Sequence, residues 1–208
     1  MISFLLLLLH FGQGGRIGQA RDTWKPYYVD VQPASPVDGW YLPLTAANRR
    51  DPKAYTLVSP FGAPRQSYLK GHIHTAIDME PKGQSGPAYV YPMARGVVCS
   101  VHLGDPHRTV VLRHRLPDGT TLFTSYKHLG EVYIRNGQQV DPNTRLARLF
   151  TRAEAKKLGG LFDHLHLEVR KKFDDYGCAS WLTMTRTELN EYFTDPAAFI
   201  TGHVGKNN

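Results

Sequence analysis

Residues 71–80 read "GHIHTAIDME", and residues 164–170 read "HLHLEVR". Each stretch places imidazoles and an acid at spacings that bring side chains together. In the second, Leu165, Leu167 and Val169 alternate with His164, His166 and Glu168, the period of two that marks a half-buried strand. Residues i and i+2 of a strand project from one face, so His164 and His166 lie side by side while the leucines enter the core. In the first, His74 and Asp78 are four apart and share a face of either a strand or a helix. Imidazole nitrogen and carboxylate oxygen are zinc donors, and a catalytic zinc takes three protein ligands and leaves a fourth position to water. Two histidines and one aspartate meet that requirement. The four-residue spacing alone is common by chance, and one satisfied structural histidine explains either member of the His-x-His pair. The weight lies in both occurring in one β-rich chain.

The elements that must position these residues are short. The chain has 208 residues, 41% of them apolar and 21% charged, which suits one soluble domain with extensions. Nineteen glycines and 14 prolines among many Val, Tyr and Thr favour strands and turns. "PAYVYPMARGVVCSVHLGD" predicts two strands with a break at Gly96. "RTVVLRHRLPDGTTLFTSYKHL" predicts a hairpin about the Pro-Asp-Gly turn at 117–119. An Asn-Gly turn at 136–137 separates two further apolar segments. Thr151 and Glu154 form a capping box that opens a short helix, with Gly159-Gly160 as its stop. The tail after Trp181 is predicted helical, with Asp195 and Pro196 as N-cap and first residue of its last turn.

The first 20 residues differ from the rest. "MISFLLLLLHF" is too short to span a bilayer, and it runs into "GQGGRIGQA", where Ala20 fits a small-residue cleavage site. The expectation is a signal peptide over 1–20 rather than a buried N-terminal strand, although no basic residue precedes the apolar block. With no lipobox cysteine and no second apolar stretch, a secreted, periplasmic or cell-wall protein without a stable membrane anchor is expected. Residues 21–50 read as an extended arm packed on the domain, 51–173 as the domain itself and 174–208 as a C-terminal extension. The net charge of +7 suits anionic cell-wall polymers; the scatter of Lys and Arg gives no nucleic-acid footprint. Cys99 and Cys178 are open to two readings, a disulfide or two buried thiols.

The motifs resemble the lysostaphin/LytM-type zinc metalloendopeptidases, which cut peptides in bacterial peptidoglycan. The family order is a Phe-Gly opening with an arginine, a His-x-x-x-Asp, a strand ending Tyr-x-His-Leu, a Gly-x-x-Val turn and a His-Leu-His-x-Glu strand. Here "SPFGAPR" (59–65), "HTAID" (74–78), "ARGVV" (94–98), "SYKHL" (125–129), "NGQQV" (136–140) and "HLHLEVR" (164–170) follow in that order. The resemblance implies His74, Asp78 and His166 as ligands of Zn2+, with His128 and His164 as a catalytic pair beside the metal. One of that pair would orient or deprotonate the water and the other would stabilise the oxyanion or protonate the leaving amine, in either assignment. It also implies a mostly β fold, a small split or open antiparallel barrel-like sandwich with a short capped helix and a helical tail. The implied activity is that of an exported endopeptidase acting on peptidoglycan crosslinks or crossbridges. The alternative is a catalytically silent wall-binding module on the same scaffold.

Beside those residues, Glu168 is the expected partner that orients an imidazole through its other nitrogen. His72 could face the site, but a fifth nitrogen would crowd a tetrahedral ion. His102, His107 and His114 are read as exposed loop or strand-edge residues. The chain departs from the family pattern in three places. A capped helix and "GGLFD" replace a glycine-rich lead into the final strand, Thr75-Ala76 follows the first histidine where a glycine is usual, and 174–194 looks inserted.

Overall fold

In the computed structural model, residues 27–66, 70–83, 88–173, 183 and 185–206 are described. The strands are β1 (Tyr55–Ser59), β2 (Ile77–Pro81), β3 (Tyr89–Val90), β4 (Gly96–His102), β5 (Thr109–Arg115), β6 (Thr121–Lys127), β7 (Leu129–Val132), β8 (Gln139–Val140), β9 (Ala147–Leu149), β10 (Leu165–Arg170) and β11 (Phe193–Thr194). Among the described residues three short helices join them: α1 (Arg152–Lys157), α2 (Arg186–Tyr192) and α3 (Pro196–His203). The large sheet runs β1-β2-β10-β6-β5-β4-β8 with β11 paired to the end of β10, and a second sheet runs β3-β9-β7. Every pairing between these strands is antiparallel. The fold is mostly β, with sheets that do not close into a barrel.

One face of the large sheet carries the core. Ile77 and Met79 of β2, Leu165 and Leu167 of β10, Tyr126 of β6 and Val110 and Leu112 of β5 are fully buried there. The core draws on both flanks, taking Trp40, Leu42 and Leu44 from the arm and Ile200 and Val204 from the tail. The expected hairpin is β5–β6, and Gly119 in its turn has φ +86°, a value that suits glycine. The capping box at Thr151–Glu154 opens α1, and Gly159 follows its end with φ +80°. Asp195 caps α3 with Pro196 as its first residue. The tail is not wholly helical: β11 separates α2 from α3, because Phe193 is buried against the end of β10.

Residues 1–26 lie outside the described residues, as does Cys178. Cys99 is buried, and its thiol donates to the Val111 carbonyl at 3.5 Å. No helix among the described residues is long and apolar enough to cross a membrane.

His114 corrects one expectation. It is fully buried rather than exposed, because it continues the inward alternation of Val110 and Leu112. Its Nδ1 donates to the Arg95 carbonyl at 2.8 Å, and its Nε2 lies 2.8 Å from Thr124 Oγ1. Burial pushes its pKa down to about 4. A histidine depressed in the folded state takes up a proton on unfolding, so its stabilising contribution is lost as pH falls from about 6.5 towards 4. Between pH 7.5 and 5 the folded chain should lose about 2 kcal/mol from this group. Urea unfolding at both values should show a smaller difference for His114→Gln than for the wild type.

Candidate metal centre

The opposite face of the same sheet is polar. β2 and β10 pair with His166 opposite Asp78, and β10 and β6 pair with His166 opposite Lys127 and Glu168 opposite Ser125. Paired residues share a face, so this register assembles Asp78, His166, Glu168 and Lys127 on one surface. His74 joins them from the segment before β2, whose backbone is fixed by His74 N–H donating to the Ala63 carbonyl and Gly62 N–H to the His74 carbonyl, each at 2.8 Å.

Three donor atoms converge. His74 Nε2 lies 3.1 Å from Asp78 Oδ1 and 3.2 Å from His166 Nδ1, and His166 Nδ1 lies 3.1 Å from Asp78 Oδ1. The other side of each group is tied off. His74 Nδ1 donates to the Pro60 carbonyl at 2.8 Å. His166 Nε2 lies 3.2 Å from Glu168 Oε1. Arg65 Nη2 donates to Asp78 Oδ2 at 2.8 Å. A carbonyl can only accept, so the His74 proton is on Nδ1 and its Nε2 is a bare acceptor. Glu168 also only accepts, which puts the His166 proton on Nε2 and leaves Nδ1 bare.

Three lone pairs therefore face one another across little more than 3 Å, which is repulsive unless a cation lies between them. A tetrahedral ion with bonds of about 2.0–2.1 Å needs ligand atoms about 3.3 Å apart, close to the observed triangle. The residues present fit zinc. Burial pushes the His74 pKa down, which keeps the ring neutral. For Asp78 burial acts upward, but the imidazoles of His164, His166 and His74 gathered around it outweigh that and hold the carboxyl well below the usual range.

Behind His166 stands a buried charged cluster. Glu168 Oε1 accepts from the Thr75 hydroxyl at 2.6 Å and lies 3.5 Å from Lys127 Nζ. Its Oε2 accepts from Arg170 Nε at 2.8 Å. Burial would raise the Glu168 pKa, but the charges of Arg170 and Lys127 and the N–H of His166 hold it well below the usual range. Thr75, at a departure from the family pattern, thus has a defined partner.

The remaining expected residues are close by. His164 Nε2 is 3.5 Å from Asp78 Oδ1. The His128 ring centroid lies 5.0 Å from that of His164 and 5.8 Å from that of His166. His128 has φ +65°, rare for a residue with a side chain. Lys127 and His128 both line the cleft, which adjacent residues of a regular strand cannot do; the left-handed step between β6 and β7 makes it possible. His128 Nδ1 donates to the Pro106 carbonyl at 3.0 Å, leaving Nε2 as the acceptor. Burial, with the imidazoles of His166 and His164 beside it, pushes its pKa well down.

Arg65 and His107 are in the cleft although the sequence reading gave neither a role there. Arg65 had a signal, since it ends the "SPFGAPR" stretch. His107 corrects the expectation of an exposed loop residue: its ring lies 5.5 Å from that of His128 and 5.9 Å from that of Phe162. Burial, with the charge of Lys127, pushes its pKa down to about 4. His72 also lines the cleft but is outside the converging set of His74, Asp78 and His166. His102 is half-buried, with its ring 5.1 Å from that of Tyr27.

This polar face sits within the part of the chain that matches a known family. The sequence profile of Peptidase family M23 matches residues 72–177, just over half of the 208 residues, and the chain belongs to that family. Among solved structures it is similar to lysostaphin from Staphylococcus simulans, at 17% identity and a TM-score of 0.49 over 76% of this chain and 54% of that one. It is also similar to a zinc-containing peptidase from Vibrio cholerae, at 25% identity and a TM-score of 0.43 over 64% of this chain and 37% of that one. A third similar structure is LytU, at 19% identity and a TM-score of 0.47 over 72% of this chain and 86% of that one. No curated protein matches the chain.

Zinc added to the chelator-treated protein should raise its unfolding free energy, by about 2.7 kcal/mol at a free concentration one hundred times Kd. His166→Ala and Asp78→Ala should abolish that rise in a thermal melt. Glu168→Gln should keep all three donors and weaken zinc about 10–100-fold, as measured by competition with a chromophoric chelator.

Proposed function

We propose that the chain is an exported zinc-dependent endopeptidase that hydrolyses peptide bonds in peptidoglycan crosslinks or crossbridges. The observation that carries this reading is the triangle of three bare acceptors at His74, Asp78 and His166, with two further imidazoles beside it. Family membership supports the substrate class. Zinc held there would polarise a carbonyl and bring a bound water near neutral pH into its nucleophilic form.

The chain's own groups supply the proton transfers. His128 is neutral, with Nδ1–H committed to the Pro106 carbonyl and Nε2 bare, so it is placed to accept a proton from water. His164, beside Asp78, is placed to face the leaving amine and donate to it. Arg65 holds Asp78 Oδ2, so that Oδ1 stays turned to the histidines. Lys127 and Arg170 are engaged with Glu168 and so keep His166 oriented. The net charge of +7 favours approach to an anionic wall.

Zinc-loaded protein incubated with purified peptidoglycan should release fragments with new amino termini, identified by mass spectrometry, and a chelator should stop the release. His128→Ala should retain zinc and lose about 10²–10⁴-fold in kcat. Normal zinc content with no turnover in the wild type would instead favour a silent wall-binding module.

A further inference from the structure

Residues 152–162, "RAEAKKLGGLF", send their apolar side chains to different places. Ala155 is fully buried, and the Phe162 ring lies 5.1 Å from that of His128 and 5.9 Å from that of His107. Two leucines stay outside. Leu158 is 36% exposed, and Leu161, at 71%, is the most exposed large apolar side chain among the described residues. The glycine pair between them makes the turn: Gly159 has φ +80°, and a Cβ on Gly160 would collide with the Phe162 ring. The inward seat of Phe162 thus depends on glycine at 160, and Leu161 beside it is left in solvent. The β4–β5 loop adds Leu103, 61% exposed, in the same loop as His107. Single exposed leucines are ordinary on a protein surface. Three of them on two connections that touch at the rim of one cleft are a local concentration.

Charge at this rim is one-sided. The acids of the segment are both engaged: Glu154 receives Arg148 at 2.7 and 2.8 Å, and Asp163 lies 3.0 Å from Arg152 Nε. Lys156 and Lys157 are exposed and stand outside these pairs, directly before Leu158. Leucines beside unbalanced lysines suit an interface at which apolar side chains enter the acyl boundary while ammonium groups stay at the headgroups on flexible stems. A soluble polyanion would match the lysines and gain nothing from the leucines. A second copy docked about a two-fold axis at this patch would bring the same lysines together.

We propose that this rim, Leu103, Leu158 and Leu161 with Lys156 and Lys157, is a peripheral docking surface for an anionic lipid bilayer. Binding of this kind is reversible and needs no spanning segment. Because Leu161 also lines the cleft, docking sets the mouth of the cleft against the headgroups. The inference does not rest on the peptidase reading; it adds a place of action to it.

The test follows one position rather than the whole chain, because "MISFLLLLLHF" at the N-terminus is itself apolar. Leu161→Trp in the full chain is titrated with vesicles of equal parts phosphatidylcholine and phosphatidylglycerol, with bromine on the phosphatidylcholine acyl chains as quencher. The emission gained over the wild type should shift to shorter wavelength and be quenched, whereas that of Leu57→Trp, at an exposed position of β1, should be unchanged. The lipid concentration for half-quenching should rise about fivefold for each lysine replaced when Lys156→Gln and Lys157→Gln are added, and vesicles of phosphatidylcholine alone should quench far less. If the chain sediments with vesicles while the tryptophan introduced at 161 stays unquenched, the proposal is overturned, since another segment then holds the lipid. Quenching indifferent to both lysines and to phosphatidylglycerol also overturns it. A shift that needs no vesicles and grows with protein concentration overturns it in favour of a second copy. Hydrolysis of peptidoglycan is assayed without lipid, so none of these outcomes decides the peptidase reading.

Discussion

The antiparallel pairing of β2 with β10, in the register that sets Asp78 opposite His166, is the constraint on which the rest of the site depends. Because side chains alternate along a strand, a slip of one residue would send both donors into the core and bring leucines to the cleft. What prevents the slip is apolar burial on the far face. Ile77, Met79, Leu165 and Leu167 are all fully buried, and each contributes about 1.5–3 kcal/mol relative to exposure. The geometry of three polar atoms is therefore set by four side chains that never touch them. Residues 164 and 166 can act together only because residues 165 and 167 cannot leave the core.

Orientation within that register falls to groups that would be costly to bury alone. Glu168 is fully buried with Arg170 and Lys127 beside it. Buried ion clusters of this kind add little net stability, because desolvation offsets the attraction. Their value here is directional. An ionised Glu168 fixes which nitrogen of His166 carries the proton and so which one faces Asp78. Removing the acid would leave two cations uncompensated in the interior, a heavier penalty than losing one hydrogen bond. The arm and tail close this face farther along: Tyr28 and Val31 pack with Cys99, Val111 and Phe123, and Arg170 lies 5.2 Å from the Phe193 ring. The arm residues described here close the sheet without lining the cleft.

Much of this was legible in the sequence because it follows short periods. The alternation at 164–170, the Pro-Asp-Gly hairpin and the capping box each depend on neighbours in the chain, and each is present in the fold. The convergence of His74 with His166 is a tertiary fact, anticipated through family resemblance rather than through spacing. His114 was misread although Val110-x-Leu112-x-His114 carries the inward alternation; its polarity outweighed its period. Lys127 and Arg170 were unreadable as buried charges, since nothing local distinguishes a strand lysine in water from one held against a buried carboxylate. His107 gave no signal at all, because a loop residue reaches the cleft by the path of its loop and not by any repeat.

That last contrast divides the site by the kind of element that holds it. Asp78 and His166 sit on paired strands, His164 just before one, and His128 at a fixed step between two, so the candidate metal centre rests on the sheet itself. His107 and Phe162, which line the other side of the cleft, sit on two connections, the β4–β5 loop and the segment leaving α1, where surfaces vary most readily. The second of these is also where the chain departs from the family's glycine-rich lead. Glu154 closes the capping box of α1 and receives both terminal nitrogens of Arg148, at 2.7 and 2.8 Å, so the helix that precedes Phe162 is anchored at its start to β9. The converging donors and the aromatic side of the cleft are thus held by separate sets of contacts, and the second can change without disturbing the register that sustains the first.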